Sequence, residues 1–162
     1  MINFKKGPAL SLHQVNYVGK AVAGQNIEAG HVVRLNDNGG VVEVLKGAAA
    51  STAALDAIYG FAINNQADGD VIESGKIGVY ALDGATVVET DKTGDVAITS
   101  SNFPLGSLVS VDVDGNVKIA GEGDKVIGQV EGIRTLPGKR VVLDSGAIIQ
   151  GSVTFLGVKL AS

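Results

Sequence analysis

The chain holds two histidines, so general acid–base chemistry near neutral pH would have to run through His13 or His31. His13 stands two residues from Ser11. Side chains so spaced on an extended segment do not converge on one substrate, and no carboxylate lies nearby in sequence, so His13 reads as a surface histidine. His31 opens the run VVRL and reads as an exposed strand residue rather than a base. The absence of cysteine removes thiolate nucleophiles, disulfides and thiolate zinc sites. There is no G-x-S-x-G. Gly69 to Lys76 fails the phosphate-loop pattern, because its glycine spacing is one residue too long and Ile77 stands where a Ser or Thr would hold magnesium. Asp112, Asp114 and Asn116 offer alternating oxygen ligands for a hard cation. A calcium loop would need a further acid before its glycine and a distal bidentate Glu, so the segment reads as a hairpin turn with solvated carboxylates. Glu122 and Asp124, set around Gly121 and Gly123, read as a polar loop. The seven aromatics are scattered and make no stacking platform. These residues point away from an enzyme and nominate neither a cofactor nor a metal.

The elements that would position such residues are β-strands. The 162 residues contain 23 Val, 12 Ile and 23 Gly against three Pro and no Trp, a composition suited to pleated surfaces punctuated by turns. Short aliphatic runs flank Asn38-Gly39, Asp68-Gly69, Asp83-Gly84 and Asp114-Gly115, and each pair reads as a hairpin tip. Residues 47–60, with six alanines, could form a helical turn or two after Ser51, or a small-residue loop. Residues 29–41 lie over 105–117 at an offset of 76, and Tyr59-Gly60-Phe61 over Ile127-Gly128-Gln129 at an offset of 68. The expectation is an all-β chain of two tandem, related, small barrel-like or sandwich-like units. Its divisions are an extended N-terminal arm (1–20), a first β-unit (21–89), a linker (90–104) and a second β-unit (105–162). Val33, Leu35, Val109 and Val111 are expected in equivalent core places.

Charge is unevenly spread. Residues 1–27 carry Lys5, Lys6 and Lys20 without an acid, while the rest carries a net −7. Cation clusters this small do not support generic nucleic-acid binding, and no apolar run is long enough to span a bilayer. The arm also holds Phe4, Leu10, Leu12 and Tyr17, so it is expected to be the contact segment, with apolar residues laid into a partner and lysines steering it toward acidic surface.

The basic leader, the stretch AVAGQNIEAGHVVRLNDNG, the Tyr-Gly-Phe-Ala strand, the Gly-Asp-Val turn at 69–71 and the terminal Gly/Val-rich unit together resemble the capsid decoration, or cement, proteins of tailed double-stranded-DNA bacteriophages. The resemblance implies a structural protein made in the host cytoplasm. It would bind the major capsid protein on the outer face of the virion and bridge neighbouring subunits, often as a homotrimer, without nucleic acid, membrane or cofactor. The competing reading is a fibre or adhesin-type module that recognises a host-surface ligand.

Overall fold

Aliphatic runs between glycine-bearing turns set up strands throughout the chain. The computed structural model describes residues 2–6, 15–49, 57–142 and 145–162 and is all-β apart from one six-residue helix. In chain order the elements are β1 (Ile2–Lys6), β2 (Val15–Ala21), β3 (Val32–Asn38), β4 (Val41–Lys46), β5 (Ile58–Ala62), α1 (Gly69–Ser74), β6 (Lys76–Ala81), β7 (Val87–Thr90), β8 (Leu108–Val111), β9 (Val117–Ile119), β10 (Gly128–Val142) and β11 (Ile148–Leu160). Five strands close a barrel in the order β2-β4-β3-β5-β6. The others form a six-stranded sheet in the order β1-β7-β11-β10-β8-β9. All pairings are antiparallel except β2 with β4, which closes the barrel through Lys20 opposite Glu43 and Ala21 opposite Val44.

The strand orders run alike. Barrel order β4-β3-β5-β6-β2 has the same sequence of connections as sheet order β9-β8-β10-β11-β7. Val33 lies opposite Gly60 and Val32 opposite Phe61, while Val109 lies opposite Gly128 and Leu108 opposite Gln129. These are the positions that the offsets of 76 and 68 superimpose. Both glycines sit where a neighbouring backbone comes close: a Cβ on Gly60 would stand 1.8 Å from the Tyr80 carbonyl oxygen, and one on Gly128 2.5 Å from that of Lys159.

One core runs through both sheets. Val32 and Phe61 of the barrel are buried in the same cluster as Val88, Val109, Leu156 and Phe103 of the sheet half. A second cluster, with Ile27, Val33, Val44, Ile77 and Val79, fills the barrel. Burying each such side chain contributes about 1.5–3 kcal/mol. Val33, Val109 and Val111 are fully or almost fully buried, and Leu35 packs partly buried against the barrel cluster. Backbone bonds join the halves: Val32 N–H donates to Gly115 O at 2.8 Å, and Ala48 N–H to Asp112 O at 3.0 Å.

Several expectations change. Within the expected arm (1–20), residues 2–6 pair along β7, and residues 15–21 are a barrel strand between β4 and β6. The leader lacks alternation because its two strands serve different sheets. The division at 89 falls inside β7, which belongs to the sheet with β8–β11, and the segment after it is anchored by buried Thr93 and Phe103. Asp68-Gly69 is not a hairpin tip: Asp68 occupies the N-cap position of α1, which ends at left-handed Gly75. Asp83-Gly84 is a crossover from barrel to sheet, where the Asp83 carboxylate accepts from the N–H groups of Ala85 and Thr86. The β3–β4 hairpin forms, but its turn is Gly39-Gly40, with Asn38 opposite Val41. Of the alanine-rich stretch, residues 50–56 lie outside the described residues, and Ile58–Gly60 belong to β5.

Candidate functional site

The residues nominated for contact are divided by the fold. Phe4, Lys5 and Lys6 lie in β1 on one edge of the sheet, with Phe4 opposite Val88 and Lys6 opposite Val87. Leu10 and Leu12, like His13, lie outside the described residues. Tyr17 and Lys20 are on β2 in the barrel, opposite Gly78 and Lys76.

Lys20 leads to a groove of about 600 Å³ on the barrel surface. Its walls are β2 at Gly19 and Lys20, the start of β4 at Val41 and Val42, and Ile72, Ser74 and Lys76 around the end of α1. The strands meet closely here, since a Cβ on Gly19 would stand 2.5 Å from Val42 O. Three aliphatic side chains stay in water: Val41 is 53% exposed, Val42 39% and Ile72 71%. Isolated exposed aliphatics are ordinary; here three stand around one groove.

The antiparallel register sets Lys20 directly across from Lys76. Like charges in such a pair repel, and opposite charges would be favourable by about 0.2–1 kcal/mol. Both lysines are exposed, and neither is held by a carboxylate among the described side chains. Glu43, opposite Lys20 on β4, accepts instead from the side-chain amides of Asn36 and Asn38. Among the described side chains the groove presents two adjacent cations beside three exposed aliphatics, a surface complementary to a carboxylate flanked by apolar groups.

The other residues weighed for chemistry serve structure. His31 is 7% exposed, not an open strand position, and lies at the barrel–sheet junction. Its Nδ1 accepts from Glu28 N–H at 3.0 Å, which leaves the ring a neutral acceptor, and the His31 backbone N–H donates to Glu28 O. Burial, followed by the Lys46 and Lys92 cations, lowers its pKa from the ordinary 6.5 to about 4. The Glu28 carboxylate is paired with Lys92, whose hydrogen bond lowers the Glu28 pKa. Asp112 is not a solvated ligand: Oδ1 accepts from the N–H groups of Asp114 and Asn116 at 2.9 and 2.8 Å, and Oδ2 from the Asn116 amide. Among the described residues no group of three His, Asp or Glu side chains is placed to hold a metal ion. No described helix is long and apolar enough to cross a membrane.

Comparison with protein-family models, with curated proteins and with solved structures gives no match. The groove was half legible in the sequence. Lys20 stands out as a cation in an acid-free stretch, whereas Lys76, Val41, Val42 and Ile72 come to it only through the pairing of β2 with β4 and β6.

Proposed function

We propose that this chain is a structural virion protein. It decorates the outer surface of a tailed-phage capsid, binds the major capsid protein and stabilises the shell by bridging neighbouring subunits, as a homotrimer and without catalysing a reaction. The observation that carries the reading is the Lys20–Lys76 pair over exposed Val41, Val42 and Ile72. Such a surface suits an acidic, partly apolar patch on a protein lattice. The body behind it also suits the role. We read it as a duplicated β-unit, supported by the like strand orders and the matching Gly60 and Gly128 registers, and the two halves share a core that holds them rigidly. Several modest contacts on a rigid oligomer give high avidity on a repeating lattice.

The test is to mix purified protein with expanded capsid shells lacking it, pellet the shells and image the pellet by cryo-electron microscopy. Ordered density on the outer face, lost with the double substitution Lys20→Glu and Lys76→Glu, is the expected result. Failure to co-pellet at tens of micromolar, together with binding to host cells or glycans, would replace this reading with the adhesin alternative.

A further inference from the structure

β10 and β11 are much longer than the sheet that contains them. β10 pairs with β8 only at Gly128 and Gln129, and β11 with β7 only from Leu156 to Lys159. From Thr135 opposite Thr154 to Val142 opposite Ile148, the two strands pair only with each other among the described residues. At ~3.3 Å per residue this ribbon is about 25 Å long. A lone two-stranded ribbon is at best marginally stable in water. Its register nevertheless sets Leu136 opposite Val153, Val141 opposite Ile149 and Val142 opposite Ile148, an investment in aliphatic residues that solvent alone does not explain.

Charge indicates what covers it. Residues 135–154 contain the adjacent cations Lys139 and Arg140 against one acid, Asp144, while Arg134, just before them, is paired with Glu89. At the far edge of the same sheet, residues 112–124 contain Asp112, Asp114, Glu122 and Asp124 against Lys118, a local −3. That edge is β9, whose outer side has no strand neighbour among the described residues. Aliphatics are exposed on both faces of the β8–β9 pair. Ile119 of β9, opposite Val109 on the core face, is 39% exposed, and Leu108 of β8, one strand in from the edge and turned by alternation to the other face, is 52% exposed. A strand added to an edge presents side chains to both faces, so exposed aliphatics on each are what an added strand would cover.

We infer that the ribbon of one copy docks along the β8–β9 edge of a second copy of this chain. Each copy then carries both halves of the contact, a heterologous arrangement that forms a closed oligomer when the rotation between copies returns to its start. This rests on the self-association in the proposed function but not on the shell. An intact oligomer that fails to bind shells would defeat that reading and leave this one standing.

Sedimentation of the full chain reads the outcome directly. At tens of micromolar and low salt the wild type is expected at a multiple of 16.4 kDa. Lys139→Glu with Arg140→Glu should shift it to the monomer, and adding Asp114→Lys with Glu122→Lys should restore the larger species. The untouched protein gives a second readout that does not depend on variants folding: carbodiimide should cross-link Lys139 to Glu122 or Asp114 of another copy. A wild-type monomer, an oligomer indifferent to the charge reversals, or cross-links that place the ribbon elsewhere would each overturn the inference.

Discussion

Gly47 and Gly115 meet where the barrel joins the sheet. A Cβ on Gly47 would stand 2.5 Å from the carbonyl oxygens of both Asp112 and Val113, and one on Gly115 would stand 2.9 Å from Val32 O. Both residues have positive φ, 67° and 81°. Gly47 N–H donates to Val32 O, and Val32 N–H to Gly115 O, so three backbones are tied together at this point.

Gly47→Ala is therefore expected to destabilise the fold by about 2–4 kcal/mol, combining the left-handed penalty of ~1–2 kcal/mol with displacement of the 112–115 loop. Chemical denaturation should show one cooperative transition moving to lower denaturant. A change below about 1 kcal/mol would mean that the junction yields easily.

His31 predicts a pH dependence. Its pKa is about 4 in the fold against an ordinary 6.5, so between these values the unfolded chain binds the proton more readily. Its contribution is complete above about pH 6.5 and is lost as pH falls toward 4, amounting to about 3 kcal/mol at most. The Glu28 pKa is lowered from 4.5, so its stabilisation is lost in a more acidic window. Unfolding free energies measured from pH 7 to 4 should slope downward in the wild type and lie nearly flat in His31→Gln. Equal slopes would place the titrating group elsewhere.

Lys76→Glu separates stability from binding. Set opposite Lys20, the new carboxylate should leave stability unchanged or raise it by about 0.2–1 kcal/mol while weakening attachment to an acidic partner severalfold at low salt. Unaltered shell affinity would remove the groove from the contact surface.

Glu89, 1% exposed on β7, receives two hydrogen bonds from the Arg134 guanidinium on β10, one from Nε at 3.0 Å and one from Nη2. The register places Gly157 between Glu89 and Gly132, so the β11 residue directly beside Glu89 has no side chain to separate the pair. Arg134→Ala is expected to cost about 3 kcal/mol, and Arg134→Lys to recover only part because an ammonium lacks the planar fork. Thermal melts of the two variants would show the order, and equal melting temperatures would deny the guanidinium geometry a role.

Local pattern revealed the hairpins β3–β4 and β8–β9 and the buried Val33, Val109 and Val111, because alternation and turn chemistry act over a few residues. It missed α1, where Val71 and Ile72 behind Asp68-Gly69 resemble the start of a strand, and a helix of six residues has too few turns for a 3.6-residue period to emerge. It misplaced His31, whose burial comes from two halves closing on it rather than from its neighbours in sequence. The groove depends on register between β2, β4 and β6, which no short window contains.

The parallel seam between β2 and β4 is two residue pairs long, far shorter than the antiparallel pairing of β3 with β4. It is also the one parallel pairing among the described strands, and no hairpin can join parallel neighbours to hold their register. Under amide exchange or mechanical load, this is where the barrel should unzip first, turning a closed cylinder into a curled sheet with two raw edges. Because the groove straddles β2 and β4 beside that seam, an occupant would act as a clasp, and protection of the amides of Lys20 to Val22 would rise on binding even though the rest of the barrel stayed as it was.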